Sequence, residues 1–313
     1  MKIQILILVL LHSLITCQDI QAQDSVFNFN FISNNTMSEK NVDLGSNSVY
    51  QSTDNGLTWQ DIGASLPGNL KNKAFFVNNG TFSLLSDFHL YHFKNGSTPV
   101  TWEKEYSLGI NIKDIYTCKS ILIGRSTEGD FFQKLNASGL WLPIQMPNSM
   151  VRTVLETQAG TLFVGCDNGI FKSSDKGKSW KHVFEDGIAL NMVESNRIII
   201  AGGQQGILRS TNGGESWKEN YVGQVSGEIC WKIYFVDSMI GFVSVESFNK
   251  SSNKLSYLKT IDGGLTWKEY SFIIQPGYEA LSIIFIDEKT GWVGGMRNLE
   301  DGSVSGESYT TTD

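Results

Sequence analysis

The sequence predicts an all-β protein built from repeats, and three features of its 313 residues indicate this class. The composition favours strands and turns, with 31 glycines against 5 prolines and 12% aromatic residues. No long stretch has the hydrophobic periodicity of an amphipathic helix. One eight-residue phrase also recurs along the chain, which is typical of a repeat architecture. Since repeat folds can exceed the usual domain length, the chain length does not require two domains.

The recurring phrase, called a box below, reads hydroxyl, any residue, Asp or Asn, any residue, Gly, any residue, hydroxyl, Trp. Four copies fit it: box 1 at 52–59, box 2 at 173–180, box 3 at 210–217 and box 4 at 260–267. Four positions of each box are candidate structural residues. They are Ser52, Asp54, Gly56 and Trp59 in box 1, Ser173, Asp175, Gly177 and Trp180 in box 2, Ser210, Asn212, Gly214 and Trp217 in box 3, and Thr260, Asp262, Gly264 and Trp267 in box 4.

The chemistry of the box indicates a hairpin turn. Its Asp or Asn side chain can accept hydrogen bonds from backbone N–H groups one or two residues further on, as in an Asx turn. The glycine supplies a positive φ, and the two hydroxyls can bond across the mouth of the turn. The tryptophan starts the next strand and offers a large apolar plate for burial between sheets. Because no position is an obvious nucleophile or metal ligand, the predicted role of the box is structural.

Tryptophan spacing predicts the size of the repeat. If degenerate boxes before Trp102 and Trp141 are included, successive box tryptophans lie 43, 39, 39, 37 and 50 residues apart. A period of about 40 to 50 residues with four short strands is the size of a propeller blade. The predicted fold is therefore a six- to seven-bladed β-propeller of four-stranded antiparallel blades. In the fourth repeat, strands are expected at 151–156, 161–165, 169–173 and 179–184.

The two ends of the chain have more than one interpretation. Residues 1–22 have the form of a secretory signal peptide, with Lys2 before a short apolar core, and lipidation at Cys17 is the alternative. We therefore expect a secreted, cell-surface or periplasmic protein with its propeller at 23–313. A seventh repeat begins at 279 and stops at 313 within the first half of a box. That repeat is either truncated or closed by a strand at 25–32.

The box resembles the Asp-box, or bacterial neuraminidase repeat, of β-propellers such as sialidases, sortilin-type receptors and xyloglucan-active glycosidases. The whole pattern is most similar to the photosystem II stability/assembly factor family, in which a Gly-aromatic-Val strand precedes the box. Residues 241–243 (GFV) and 291–293 (GWV) stand in that place here. The resemblance implies boxes between the third and fourth strands of each blade, on the rim away from the binding face. It also implies a non-enzymatic binding or scaffold protein.

Charge and residue types exclude several other classes. The net charge of −7 disfavours nucleic acid and anionic membrane surfaces as partners. After removal of the leader, Cys118, Cys166 and Cys230 remain, and an odd number in separate repeats is not a disulfide framework. His89 and His92 lie three apart in a predicted strand, hence on opposite faces. The sequence therefore predicts no metal site and no cofactor, and the apolar core of the leader is too short for a membrane span.

A glycoside hydrolase, sialidase-like or glucan-active, is the alternative function. The resemblance to sialidases is confined to the boxes, because the chain has five arginines and no Arg-Ile-Pro motif. A xyloglucan-type enzyme needs two carboxylates facing each other across a cleft. Many of the 32 acidic residues could contribute to such a pair.

The candidate binding site lies opposite the boxes, where long turns are predicted at 244–253 and 296–308. Trp231 stands at the start of an inner strand, in an apolar row of period two with Ile229 and Ile233. It is either core packing or a stacking platform flanked by Glu228, Tyr278 and Arg297. We expect a protein or carbohydrate partner, and the sequence leaves the oligomeric state open.

Overall fold

The computed structural model divides into two compact units, Met1–Ile144 and Gln145–Asp313. Residues Asp54, Gly56 and Trp59 of box 1 lie outside the described part of the chain. The described residues are 5–9, 27–30, 49–52, 60–63, 65–67, 74–78, 81–94, 101–105, 109–135, 140–204, 206–223, 228–247, 255–271, 278–285, 290–298 and 304–312.

The first unit contains three four-stranded sheets, blades 1 to 3. Blade 1 has β1 (Ile5–Val9), β2 (Phe27–Asn30), β3 (Val49–Ser52) and β4 (Gln60–Asp61); blade 2 has β5 (Ala74–Asn78), β6 (Thr81–Ser86), β7 (His89–Lys94) and β8 (Thr101–Lys104); blade 3 has β9 (Ile112–Thr117), β10 (Ile121–Ser126), β11 (Phe131–Leu135) and β12 (Trp141–Pro143). Blades 2 and 3 are antiparallel meanders.

Blade 1 has a different order, β2-β1-β3-β4. Its strand β1 comes from the apolar core of the predicted signal peptide and pairs antiparallel with β3 and parallel with β2. The strand expected at 25–32 thus supplies β2 to blade 1, and its described partner is β1 rather than the last blade. Cleavage after residue 22 stays a prediction.

The second unit contains blades 4 to 7. Blade 4 has β13 (Val151–Glu156), β14 (Leu162–Cys166), β15 (Gly169–Ser173) and β16 (Lys181–Phe184); blade 5 has β17 (Ala189–Ser195), β18 (Ile198–Gly203), β19 (Gly206–Ser210) and β20 (Lys218–Tyr221); blade 6 has β21 (Glu228–Phe235), β22 (Gly241–Ser247), β23 (Leu255–Thr260) and β24 (Lys268–Ser271); blade 7 has β25 (Tyr278–Phe285), β26 (Thr290–Asn298) and β27 (Val304–Thr312). The described residues include no helix. The fold is an all-β propeller, as the sequence predicts, and blades 2 to 6 are four-stranded antiparallel sheets.

Blade 7 is a three-stranded sheet in the described residues, and it corrects the predicted loops. The ladder between β26 and β27 continues as far as Asn298 and Val304, so most of 296–308 is strand. In blade 6 the pairing of β22 with β23 likewise extends to Glu246 and Leu255. Backbone hydrogen bonding therefore extends both hairpins into segments whose small and polar residues indicated loops.

Apolar side chains cover both faces of the central strands, because each sheet packs between neighbouring sheets. In β18, Ile199 belongs to the cluster shared with blade 4, and Ile200 belongs to the cluster shared with blade 6. A strand buried on both faces reads as a continuous apolar run rather than an alternating one. Burial on two sides explains the sequence of β18, IIIAGG.

Box 2 forms a turn closed by two side chains. The Ser173 hydroxyl accepts a hydrogen bond from the Gly177 N–H at 2.8 Å and donates to Asp175 at 2.8 Å. Asp175 accepts from the N–H and the hydroxyl of Ser179, at 2.9 and 2.5 Å. The expectation that the carboxylate bonds one or two residues further on is wrong, since its partner lies four residues on. Lys176 and Gly177 both have positive φ, 61° and 81°, which curls the chain back towards the carboxylate.

Boxes 3 and 4 repeat this geometry. The hydroxyls of Ser210 and Thr260 each accept the N–H of the box glycine at 2.9 Å. Asp262 accepts from the N–H and the hydroxyl of Thr266, at 2.9 and 2.5 Å. In box 3 the amide of Asn212 accepts the Ser216 N–H at 3.1 Å and donates to its hydroxyl at 2.9 Å. An amide therefore closes the turn as a carboxylate does, with one hydrogen bond reversed.

The box glycines also allow a close contact with the preceding blade. A Cβ on Gly214 would lie 2.2 Å from Cε1 of Phe163 in blade 4, and one on Gly264 would lie 2.5 Å from Cδ1 of Ile200 in blade 5. Both glycines have a φ of 77°. Glycine is therefore required for two reasons: its backbone has a positive φ, and the space between the blades leaves no room for a Cβ.

We expect Gly214→Ala to lower the free energy of unfolding by about 2 to 5 kcal/mol, because it combines a strained φ with a clash against Phe163. Gly213→Ala is the matched control: its φ is also positive, but no atom lies within 4 Å of the new Cβ. Its cost should stay near about 1 to 2 kcal/mol. Denaturant unfolding of both variants measures the difference, and equal losses would show that the contact with blade 4 has no energetic weight.

The boxes also predict a dependence of stability on acid pH. The hydroxyl and N–H of Ser179, and then the Ser173 hydroxyl, lower the pKa of Asp175 to about 2. Burial alone would raise the pKa of Asp262, but its hydrogen bonds, chiefly from Thr266, hold it below the ordinary value. Because both carboxylates are stabilised in the folded state, their contribution is complete above the pKa of an unfolded aspartate, about 4. It is lost as the pH falls through the lowered pKa of the folded state, which is about 2 for Asp175.

The melting temperature of the double variant Asp175→Asn, Asp262→Asn should therefore fall less than that of the wild type between about pH 4 and pH 2. Asn212→Asp is the converse control, since it adds a titratable group to box 3 and should steepen the same curve. Thermal melts across this pH range test both. If the melting temperatures of the wild type, the double variant and Asn212→Asp fell equally over this pH range, the expectation would be wrong.

Candidate functional site

Each blade has two edges with different roles. Because successive strands run antiparallel, the turns after the first and third strands lie at one edge, which carries the boxes and is called the box edge. The start of the first strand and the end of the second strand lie at the opposite edge, called the far edge. In blade 6, the register partners Glu228 and Ser247 mark the far edge.

The first strands of blades 4 to 7 each contain a β-bulge near the far edge. One residue in each strand has no partner across the ladder to the second strand. These residues, called the bulge row, are Arg152, Leu190, Trp231 and Leu281. A bulge re-aims the side chain of the extra residue, and bulges are frequent next to functional sites. The 50-residue offset that aligned Trp231 with Leu281 in sequence also aligns the two bulges.

Trp231 lies outside the apolar cluster between blades 5 and 6. The bulge places Cys230 and Ile233 in that cluster, so the predicted row of Ile229, Trp231 and Ile233 is broken. The indole of Trp231 is half-buried, and its N–H donates a 2.6 Å hydrogen bond to Glu246. Trp231 therefore does not belong to the cluster in which its sequence neighbours Cys230 and Ile233 lie.

Glu228 lies on the other face of the blade 6 sheet. It precedes Cys230 by two residues and therefore shares its face, whereas Glu246 follows the cluster residue Val245 and points the opposite way. The Tyr221 hydroxyl of blade 5 lies 3.5 Å from Glu228. Burial, and then the charge of Glu228, raise the pKa of Tyr221. Burial, and then the charge of Glu228, raise the pKa of the Cys230 thiol to about 12, so this thiol stays protonated.

Glu228 and Glu246 are the two buried carboxylates of blade 6, each 8% exposed. Because they project from opposite faces of one sheet, they do not face each other across a cleft. The arrangement is unlike the paired carboxylates that glycoside hydrolysis requires. Trp231 and Glu246 are the pair that the structure brings together. The sequence did not identify Glu246 as a neighbour of Trp231, because the contact between them depends on the strand register.

Tyr278 and Arg297 are register partners across β25 and β26, at the far edge of blade 7. Their side chains lie outside the described part of the structure. The far edge of blade 4 carries an ion pair, in which the Arg152 guanidinium donates to both oxygens of Asp167 at 2.5 and 3.0 Å. Blade 5 has a small cleft near its far edge. The cleft is lined by Asp186, Ile188, Ala189, Ala201, Gly202, Gly203, Gly206 and Leu208.

The first unit contains a hydrogen-bonded chain of Ser83, His92 and Glu105. The Ser83 hydroxyl lies 2.9 Å from Nδ1 of His92, and Nε2 of His92 lies 2.6 Å from Glu105. Ser83 is fully buried, so it is closed to a substrate. Lys134 of blade 3 also bonds Glu105 at 2.5 Å. Burial alone would raise the pKa of Glu105, but His92 and Lys134 lower it to about 2. This chain joins blades 2 and 3.

No group of three or more potential metal ligands occurs among the described residues. Within the same residues, no helix has the length and apolar character needed to cross a membrane.

No protein-family model matches the sequence, and neither does any curated protein. Solved structures do match. YCF48 bound to a D1 peptide has a TM-score of 0.57 and 14% identity, over 83% of this chain and 86% of that chain. YCF48 from Cyanidioschyzon merolae has a TM-score of 0.53 and 13% identity, over 85% of this chain and 88% of that chain. The GH74 xyloglucanase from Xanthomonas campestris has a TM-score of 0.54 and 15% identity, over 75% of this chain and 42% of that chain. The chain is thus a β-propeller that resembles the photosystem II assembly factor, and the likeness is one of fold.

The bond between Trp231 and Glu246 predicts a protected indole N–H. Glu246→Ala should raise the hydrogen-exchange rate of this proton by about tenfold or more, because the indole loses its acceptor. Glu246→Gln is the control, since its amide oxygen can still accept the bond. The proton is assigned as the indole signal that disappears from the NMR spectrum of Trp231→Phe. Unchanged protection in Glu246→Ala would show that packing alone shields the indole.

Proposed function

We propose that this chain is a secreted, non-enzymatic propeller that binds a protein partner through the far edge of blades 4 to 7. The observation that carries the proposal is the bulge at Trp231. It turns a large aromatic ring away from the apolar cluster between blades 5 and 6, at the far edge, where Glu246 accepts the hydrogen bond of its indole N–H. The form of residues 1–22 supports secretion.

An indole held in this way suits recognition of a partner. Because its N–H is already bonded to Glu246, the ring offers its apolar face without leaving a polar group unpaired. A ring fixed in one orientation also loses little conformational entropy when a partner packs on it. Tryptophan and arginine are enriched among the residues that dominate binding energy. Arg152 and its partner Asp167 supply charge at the far edge of blade 4.

A solved structure with this fold supports a protein partner. One structure with the same fold is described as YCF48 bound to a D1 peptide. At 14% identity, that similarity supports the kind of scaffold and not a particular partner. The similarity to a xyloglucanase is also one of fold. The opposite orientation of Glu228 and Glu246 favours binding over hydrolysis.

The proposal is tested by replacing the half-buried Trp231 ring and its predicted cationic neighbour. The double variant Trp231→Ala, Arg297→Ala should weaken binding of the partner by about tenfold or more, equivalent to about 1.4 kcal/mol. Its melting temperature should change little. Partners are first captured by photo-crosslinking through a benzophenone amino acid at Leu190, in the same bulge row, and affinity is then measured by calorimetry.

Lys178→Ala is the matched control, because Lys178 is exposed at the box edge of blade 4 and should leave affinity unchanged. Full affinity in the double variant, or crosslinking equally efficient from position 178, would overturn the proposal. Hydrolysis of a sialoside or xyloglucan by the wild type would replace it with the glycosidase alternative. Binding of a glycan with no protein crosslinked would assign the same edge to a carbohydrate.

A further inference from the structure

Pairs of basic residues flank three of the boxes. One member precedes the box at the end of the third strand, and the other follows the box tryptophan at the start of the fourth strand. In each pair the two residues are direct register partners. The pairs are Lys172 and Lys181, Arg209 and Lys218, and Lys259 and Lys268. Like charges directly opposite each other destabilise a sheet, so each pair needs compensation.

In blade 4 the compensation is a carboxylate from the next blade. Glu215 of box 3 accepts a hydrogen bond from Lys172 at 2.5 Å and one from Lys181 at 2.9 Å. The hydrogen bonds from Lys172 and then Lys181 lower the pKa of Glu215 to about 2. Lys172 also donates to the Gly213 carbonyl at 2.7 Å. One carboxylate therefore bridges two cations across the joint between blades 4 and 5.

In blade 6 the compensation is aromatic. The Lys259 ammonium lies 5.6 Å from the centre of the Phe242 ring, and that of Lys268 lies 5.0 Å from the centre of the Tyr270 ring. Rings at these distances attract a cation through their quadrupole.

The pair in blade 5 has neither form of compensation among the described residues. The position that Glu215 occupies in box 3 is held in box 4 by Leu265, which is 58% exposed. The register partner of Arg209 in β18 is Ile200 rather than an aromatic residue. The Nε of Arg209 is buried and has no hydrogen-bond partner. Asn220, rather than Arg209, donates to the carbonyls of Gly264 and Leu265, at 2.7 and 3.1 Å.

We propose that Arg209 and Lys218 form a carboxylate-binding subsite for an acidic segment of a protein partner. The bound carboxylate takes the place that Glu215 has between Lys172 and Lys181. A guanidinium and an ammonium side by side suit a carboxylate, because Arg and Lys both donate charge-assisted hydrogen bonds to it. This subsite lies at the box edge and is separate from the far edge that carries the proposed function.

The surface beside the subsite indicates that the segment also carries aliphatic side chains. Ile261 is 67% exposed, and Met239 is 48% exposed. Met239 lies next to box 4, because its carbonyl accepts the Gly263 N–H at 2.9 Å. Boxes 2 and 3 have Ser174 and Thr211 where box 4 has Ile261. Exposed aliphatic side chains next to a cation pair match a segment with Glu beside Leu or Ile.

The subsite can be filled from within the chain, which gives the first test. Leu265→Glu places a carboxylate where Glu215 stands in box 3, so it should raise the melting temperature by about 1 to 3 °C. Leu265→Gln is the matched control, because it has the same length and polarity without the charge. The rise should disappear in Leu265→Glu combined with Arg209→Gln. A melting temperature of Leu265→Glu equal to that of Leu265→Gln would overturn the proposal.

The second test uses an eight-residue peptide of alternating Glu and Leu, with the Gln and Leu peptide as its neutral counterpart. Calorimetry in moderate salt should show binding of the acidic peptide at least about tenfold tighter than that of the neutral one. Arg209→Gln and Leu265→Glu should each lower the affinity by about tenfold, the latter because its own carboxylate occupies the subsite. Trp231→Ala should leave it unchanged. Equal binding of the two peptides, or full affinity in Leu265→Glu, would exclude the subsite.

Discussion

The second unit depends on the close approach of boxes 3 and 4 to the blades that precede them. The backbone at Gly214 and Gly264 lies so near Phe163 and Ile200 that no side chain fits between them. This approach is possible because two consecutive residues with positive φ turn the chain back on itself. The first hydroxyl of the box then accepts the N–H of the box glycine, and the box carboxylate or amide closes the turn. The turn thereby satisfies its own polar groups, and its glycine is free to pack against an apolar residue. Boxes 3 and 4 are each at once a turn and a contact between sheets.

This arrangement explains why the boxes tolerate variation at some positions only. Lys176 and Gly213 occupy the same place and both have a positive φ, and a Cβ on Gly213 would meet no atom within 4 Å. Asn212 replaces an aspartate without loss of the turn. The polar links between blades also differ: Lys172 and Glu215 join blades 4 and 5, whereas Asn220 joins blades 5 and 6. Such differences between otherwise equal repeats are where specific function can arise, because the shared core does not need them.

Trp231 and Leu265 are two such departures, and they lie at opposite edges of blade 6. All four bulge-row positions share a backbone feature, but Trp231 alone among those with described side chains is aromatic. Leu265 stands where box 2 has Lys178 and box 3 has Glu215, and box 1 has a leucine at the same position. The net charge of −7 means that long-range attraction does not explain binding of an acidic segment, so the local cation pair would have to supply it.

The sequence by itself determined the repeat, its period and the residues of the turn, because a structure repeated along the chain leaves the same residue types at the same intervals. It also singled out Trp231. Only the tertiary structure decided that Trp231 lies outside the apolar cluster between blades 5 and 6, because one extra residue at a bulge shifts the register and side chains alternate with a period of two. For the same reason it alone paired Trp231 with Glu246 and separated Glu228 from both. Strand register and contacts between blades join residues far apart in the chain, and no local pattern records them.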